Sequence, residues 1–259
     1  MRKAFRDLLE SKEKYFGTIL QFPCPEMIEI LAASGSRYVI IDNEHSQATY
    51  EQTLTMLRTA DSVGLPAMIR LPEISEDAIK KALDMGFSAL RLPTVSSAEE
   101  VKRLVSYAKF APEGIRGACP YVRANKYGAG NKQEFYRKAN EELVIAVNIE
   151  GPEGIANMES IIRQDGIDII NVGRADLAVA LGFPGEITHP KVEKAVRDVA
   201  NLAYKYKKCS GAFIRAPEDA ASYADCPGIT HFLVLPPEEL LISEYRKIFE
   251  GIVKSIENT

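Results

Sequence analysis

The chain has 259 residues, of which 46% are hydrophobic, 26% charged and 8% aromatic, with a formal net charge of −4. That composition is ordinary for a soluble globular protein, and a chain this long buries enough surface to need no disulfide or metal staple. No basic excess supports a nucleic-acid footprint, and no apolar run approaches the roughly 18 residues that span a membrane. The first fourteen residues are charged and amphipathic, predict an N-terminal helix, and lack the apolar core of a signal peptide. Short apolar runs over 17–21, 37–42, 67–71, 88–93, 143–150, 168–172, 209–214 and 229–235 predict strands. Segments of helical period over 26–33, 50–63, 76–85, 98–108, 154–163, 192–206 and 217–223 lie between them, and an amphipathic helix over 237–256 follows the last strand.

Several runs are continuously apolar, notably Tyr38-Val39-Ile40-Ile41 and Leu143-Val144-Ile145-Ala146-Val147. That is the pattern of parallel strands buried on both faces. Strands alternating with helices through this length predict an α/β fold, a single (β/α)8 TIM barrel domain over 1–259. An open doubly wound sheet is the alternative, because strand order is not written in the sequence. Residues 111–138 hold Pro112, Gly114, Gly117, Pro120, Gly128 and Gly130 and are too long for a plain connection, which points to a functional loop. Cys24, Cys119, Cys209 and Cys226 form no metal or disulfide spacing and read as reduced thiols of a cytoplasmic protein.

In such a barrel the chemistry gathers where strands hand over to the following loops. Those ends carry Asp42-Asn43-Glu44-His45, Arg70, Asn148-Ile149-Glu150 and Gly173-Arg174-Ala175-Asp176. Glu150 and Asp176 would stand about 4.8 Å apart if their strands are neighbours. Two carboxylates that close repel unless they share a proton or bind a cation, and oxygen ligands favour Mg²⁺ or Mn²⁺ over structural zinc. The competing reading is that each caps a helix, Glu150 through the Gly151-Pro152-Glu153 turn and Asp176 near Leu177. His45, in a polar turn after an apolar strand, suits a general base whose ring Asp42 or another acid orients; a solvated loop histidine is the alternative. His189 reads as structural and His231 as a core residue. Arg70 shares a strand face with Met68 and suits a carboxylate or enolate clamp, or a partner for Asp42 or Glu150. Arg116 in the long loop fits either a turn or an anion contact. No lysine ends a strand, which disfavours a Schiff-base aldolase, and neither a nucleophile elbow nor a phosphate loop is present.

Five segments follow one another in a familiar order: Tyr38–Ser46 (YVIIDNEHS), LDMGFSALRLP from Leu83 to Pro93, Pro112–Gly117 (PEGIRG), Ile149-Glu150, and Asp165–Gly182 (DGIDIINVGRADLAVALG). Together they resemble the HpcH/HpaI aldolase family of metal-dependent class II pyruvate aldolases. The resemblance implies a divalent metal ion (Mg²⁺, Mn²⁺ or Co²⁺) held by Glu150 and Asp176. It implies a base at His45, oriented by Asp42 and approached by Asp84 of a neighbouring subunit, and Arg70 on the substrate's ketone or enolate oxygen. Backbone N–H groups of Ala175 and Asp176 would receive the pyruvyl carboxylate. It also implies a homo-oligomer, a hexamer built as a trimer of dimers that exchange their C-terminal helices. Three positions depart from the pattern. Asn43 replaces the usual aspartate or threonine-type neighbour, Asn148 stands where glutamine is usual, and Arg174 adds a cation suited to an acidic substrate tail. The expected activity is reversible cleavage of 4-hydroxy-2-oxo acids (2-keto-3-deoxy sugar acids or diacids) to pyruvate and an aldehyde. The rivals are an acyl-CoA lyase of the citrate and malyl-CoA lyase type, and a non-catalytic oxo-acid-binding protein.

Overall fold

In the computed structural model, which describes residues 5–11 and 13–257, eight parallel strands surround a common interior. They are β1 (Tyr15–Leu20), β2 (Tyr38–Asp42), β3 (Ala67–Arg70), β4 (Ala89–Leu92), β5 (Val144–Ile149), β6 (Ile169–Val172), β7 (Ser210–Ile214) and β8 (Ile229–Val234). Ladders join them in the order β6-β5-β4-β3-β2-β1-β8-β7. Between β6 and β7 a single parallel bridge links Ile169 and Cys209, and the Ile170 amide donates to the Cys209 carbonyl at 2.9 Å. The expected barrel is present and nearly closed; the open doubly wound alternative is not what forms.

The helices are α1 (Phe5–Glu10), α2 (Pro25–Ala33), α3 (Tyr50–Val63), α4 (Glu76–Met85), α5 (Ala98–Ala108), α6 (Lys132–Glu142), α7 (Pro152–Ala156), α8 (Met158–Ile162), α9 (Arg174–Ala180), α10 (Pro190–Lys205), α11 (Pro217–Ala221) and α12 (Pro237–Glu257). Their ends follow local chemistry. Thr49 and Ser97 open α3 and α5 with reciprocal capping boxes, and Gly64 and Gly86 close α3 and α4 in the left-handed region.

Side chains alternate between two cores. Outward residues such as Val39, Ile41, Ile69, Leu90 and Val147 pack against Ile28, Leu57, Ile79 and Leu104 of the surrounding helices. Inward residues Ile40, Met68, Ala89, Ala146 and Ile169 form a second cluster inside the barrel, into which Phe5 and Leu8 of α1 insert from below. Because both faces are covered, every residue of β2 and β5 is buried, and their sequences show no polar alternation. Two residues further along, the same inward rows turn polar: Asp42, Arg70, Arg91, Asn148 and Asn171. That step from apolar to polar separates the plug of the barrel from its working end.

Two elements differ from the expectation. The predicted helix over 154–163 is two short helices, α7 and α8, broken at Asn157, whose side-chain amide donates to the Ser96 carbonyl at 2.9 Å. Residues 111–138 are not one open loop. They contain a 3₁₀ segment, Arg123–Gly128, and most of α6, which Asn131 caps by accepting from the Glu134 amide. The expected C-terminal helix is present as α12, and among its described residues only Pro237 is buried against the rest of the chain.

Candidate active site

The polar end of the barrel opens into a cleft of about 380 Å³ whose lining includes His45, Arg70, Arg91, Asn148, Glu150 and Asp176. Asp42, at the end of β2, has a fully buried side chain. It takes two hydrogen bonds from Arg70, Nε to Oδ1 at 2.8 Å and Nη2 to Oδ2 at 2.7 Å. The same carboxylate accepts the backbone amides of Glu44 at 2.9 Å and His45 at 3.4 Å. Burial works to raise the Asp42 pKa, but the hydrogen bonds and charge of Arg70 together with the two amides hold it below the usual carboxylate range. Asp42 therefore positions His45 through the main chain and not through the ring. The ring Nε2 lies 3.8 Å from Glu44 Oε1, and 56% of the side chain is exposed. Glu44 also pairs with Arg70 at 3.0 Å.

Glu150 follows β5 and is 6% exposed. One oxygen accepts from the Asn148 amide at 2.8 Å; the other accepts from the Thr94 backbone N–H at 2.8 Å and the Thr94 hydroxyl at 3.1 Å. Thr94 has φ 55°, a strained conformation for a β-branched residue, and it faces Glu150 with both donors. A Cβ on Gly173 would lie 2.3 Å from Glu150 Oε1, so only glycine leaves room for the carboxylate beside the start of α9. Asp176 sits in the first turn of that helix, whose N-cap is Gly173 and carries no side-chain cap. Nor does a side chain cap α7. Neither Glu150 nor Asp176 is spent on capping, and among the described residues no Lys, Arg or His forms a salt bridge with either.

These two carboxylates, one buried and one exposed at the rim of the same cleft, suit a hard divalent cation. No third His, Cys, Asp or Glu joins them into a larger metal-binding group among the described residues. Two protein oxygens with the remaining shell left to water or substrate is the usual Mg²⁺ arrangement. On chemistry and space, the donor set fits.

A family model described as HpcH/HpaI aldolase/citrate lyase matches residues 20–225. The chain belongs to this family. It is 31% identical over 221 residues to the 5-keto-4-deoxy-D-glucarate aldolase of Shigella boydii serotype 18, which covers 85% of each chain. The crystal structure of an HpcH/HpaI aldolase from Desulfitobacterium hafniense DCB-2 matches with a TM-score of 0.89 at 26% identity, over 96% of both chains. A family protein from Burkholderia cenocepacia J2315 matches with a TM-score of 0.87 at 27% identity, over 95% of this chain and 97% of its own. The protein is an HpcH/HpaI aldolase, a lyase that acts on carbon–carbon bonds.

In this aldolase the remaining expected positions are distributed unevenly. Arg174 borders the cleft, but its buried guanidinium is committed elsewhere: Nη1 bonds Glu193 and Nη2 bonds the Tyr223 hydroxyl. Its charge serves the packing of α9 on α10 and Tyr223, in place of the free cation expected for a substrate tail. Asp84 does not line its own chain's cleft; Arg116 Nη2 holds it at 2.8 Å. Arg116 is thereby placed as well, buried over the Phe110 ring. His189 caps α10, accepting the Lys191 amide at 3.2 Å while stacking on Phe183. His231 is 5% exposed and borders the cleft, stacked on Tyr15. Burial, followed by the nearby Arg91 charge, pushes its pKa down to about 3, so it stays neutral at physiological pH. No helix is long and apolar enough to cross a membrane among the described residues.

Sequence reading gave no role to Arg91, Asn171 or Thr94. A charged or amide side chain inside an apolar strand, as in Leu90-Arg91-Leu92 and Ile170-Asn171-Val172, was a usable signal. Nothing in the sequence marks Thr94, because its role comes from backbone conformation.

Proposed function

We propose that this aldolase reversibly cleaves 4-hydroxy-2-oxo acids, of the 2-keto-3-deoxy sugar acid or hydroxy-oxo diacid type, into pyruvate and an aldehyde. The observation that carries this reading is Glu150: a buried carboxylate with no salt-bridge partner among the described residues, nested on Gly173 in the same cleft as Asp176, His45 and Arg70. Glu150 and Asp176 would hold a divalent ion, Mg²⁺, Mn²⁺ or Co²⁺. When bound, such an ion acts as a Lewis acid toward the 2-oxo acid.

The chain's own groups account for the rest. The backbone N–H groups of Ala175 and Asp176, in the first turn of α9, suit the substrate carboxylate. Arg70, fixed by Asp42 and Glu44, offers its charge to the 2-oxo oxygen, where negative charge grows as the bond breaks. His45 is the proton carrier. It removes the C4 hydroxyl proton, directly or through a water, as the C3–C4 bond breaks and its electron pair stays with the pyruvyl fragment. The same proton then returns to C3, which balances the reaction. The aldehyde departs through the open side of the cleft.

We also read the enzyme as a cytoplasmic homo-oligomer in which Asp84 reaches a neighbouring subunit's His45. The support is that Asp84 lies outside its own chain's cleft, and that α12 carries an exposed apolar face, including Leu241, Tyr245, Ile248 and Ile252.

The test is pyruvate release from a panel of 4-hydroxy-2-oxo acids, with EDTA and with each metal added back. Cleavage that EDTA abolishes and metal restores supports the reading. Cleavage indifferent to EDTA removes Glu150 and Asp176 as metal ligands.

A further inference from the structure

The floor of the cleft carries a charge that no partner answers. Arg91 points inward from β4 and is 8% exposed; its one hydrogen bond runs from Nε to Asn148 Oδ1 at 2.8 Å. Among the described residues no Asp or Glu forms a salt bridge with it, and its two terminal nitrogens have no hydrogen-bond partner. They are not sealed in the core either: no nitrogen of Arg91 is among the fully buried unpartnered atoms, and the residue borders the cleft.

Its cross-strand partner shows the contrast. Arg70 stands opposite Arg91 in the β3–β4 register, yet Arg70 has Asp42 and Glu44 within salt-bridge distance. Burial, and then the charge of Arg70, push the Arg91 pKa down to about 10, so the guanidinium remains charged at neutral pH. A buried charge is costly unless it is paired and hydrogen-bonded. Inside a barrel, where branched apolar side chains usually fill these layers, an unpaired arginine needs a reason.

A second donor stands nearby. Asn171 is 4% exposed, and its oxygen is occupied by the Gly211 amide at 2.8 Å. Its NH₂ group has no partner among the described residues, and Asn171 also borders the cleft. His231, neutral, adds no competing charge. Asn148, with its oxygen on Arg91 and its NH₂ on Glu150, ties this floor to the candidate metal carboxylate. The shorter amide is thus used to fix the arginine, and the arginine supplies the reach.

We propose that Arg91 and Asn171 form a carboxylate-binding subsite at the floor of the cleft, occupied by an anionic group of the substrate. The inference rests on the aldolase reading of the same cleft. The carboxylate has two possible sources: the C1 carboxylate of the 2-oxo acid, which the subsite would then share with the Ala175 and Asp176 N–H groups, or a second carboxylate elsewhere on a 2-oxo diacid.

The test is calorimetric titration of the Mg²⁺-loaded full chain with pyruvate and with 2-oxoglutarate, for the wild type, Arg91→Leu and Arg91→Lys. Charge-assisted hydrogen bonds are strong enough that Arg91→Leu should raise Kd at least about tenfold. A rise for both ligands assigns the C1 carboxylate to the subsite. A rise for 2-oxoglutarate alone assigns the second carboxylate. Arg91→Lys should fall between, keeping the charge without the fork. Arg91→Leu should be at least as heat-stable as the wild type without ligand, since an unpaired buried charge is removed. Should it not fold, Asn171→Ala carries the same test, with an expected rise of about threefold or more. Unchanged affinities for both ligands overturn the proposal. If wild-type cleavage is still abolished by EDTA in that case, the aldolase reading stands and this subsite alone falls; a wild type that binds neither ligand overturns both.

Discussion

Arg70 and Arg91 are register partners on neighbouring strands, and among the described residues only Arg70 of the two has carboxylates within salt-bridge distance. Asp42 is what makes that pairing tolerable, since it neutralises the half-buried one of two adjacent cations and also fixes the turn that carries His45.

Asp42→Asn should therefore be severe. Removing one partner of a buried ion pair typically costs about 3–5 kcal/mol, because the other charge is left uncompensated. Denaturant titration at neutral pH should show a loss of that size. The pH dependence has a definite sign. The folded Asp42 pKa is depressed, so its contribution is complete above the unfolded value near pH 4 and is lost as pH falls through the folded value. Wild-type stability should drop on that acid limb, whereas Asp42→Asn should be flatter there. Equal stability of the two proteins at neutral pH would show that the pair is not needed.

His45→Ala should lower kcat about 10²- to 10⁴-fold, the usual contribution of a positioned proton carrier. The ring is largely exposed and packs against no core, so the variant should fold normally, with KM little changed. Steady-state kinetics on the best substrate of the panel decides it, and unchanged kcat removes His45 from the mechanism.

The difference between legible and hidden features has a physical basis. Asp42, His45, Arg70, Asn148, Glu150 and Asp176 were legible because each ends an apolar run or directly follows one, and the parallel-strand pattern says which end of the run matters. The partners of these residues were not legible. Arg70 was compatible with Asp42, Glu150 or substrate, and only the β2–β3 register chooses Asp42. Thr94 acts through a left-handed backbone, which no residue type announces. Helix α6 escaped notice because Lys132–Glu142 buries only Asn140 and presents no apolar stripe.

Glu150→Gln keeps the size of the side chain while removing the charge, and its NH₂ must replace one of the two oxygens that accept from Asn148 and Thr94. Mn²⁺ binding followed by calorimetry should become undetectable in this variant, while circular dichroism shows the metal-free protein still folded. Retention of wild-type Mn²⁺ affinity would place the ion elsewhere.

At the opposite end of the barrel, Phe5 is 2% exposed and meets Tyr38 edge-to-face with ring centroids 5.6 Å apart. It plugs the interior from a helix of six residues, too short to hold without tertiary packing. Phe5→Ala should cost about 3–5 kcal/mol in chemical denaturation, from lost burial and the cavity left behind. A cost below about 1 kcal/mol would mean that the interior collapses to fill the gap, and that α1 is not what closes the barrel.

The C-terminal helix presents the reverse situation, an apolar surface without cover. Ile248 and Ile252 are 55% and 51% exposed, one turn apart on α12. An amphipathic helix with its apolar stripe in water is unfavourable unless another surface buries it. If a second copy of the chain does so, Ile248→Glu combined with Ile252→Glu should shift the molar mass measured by light scattering toward smaller species. The barrel should stay folded, because α12 buries only Pro237 against it. Activity should fall in parallel if a neighbouring subunit's Asp84 completes the site, and adding Asp84→Asn to the dissociated variant should then cost nothing further. An unchanged assembly in the double variant would remove α12 from the subunit contact.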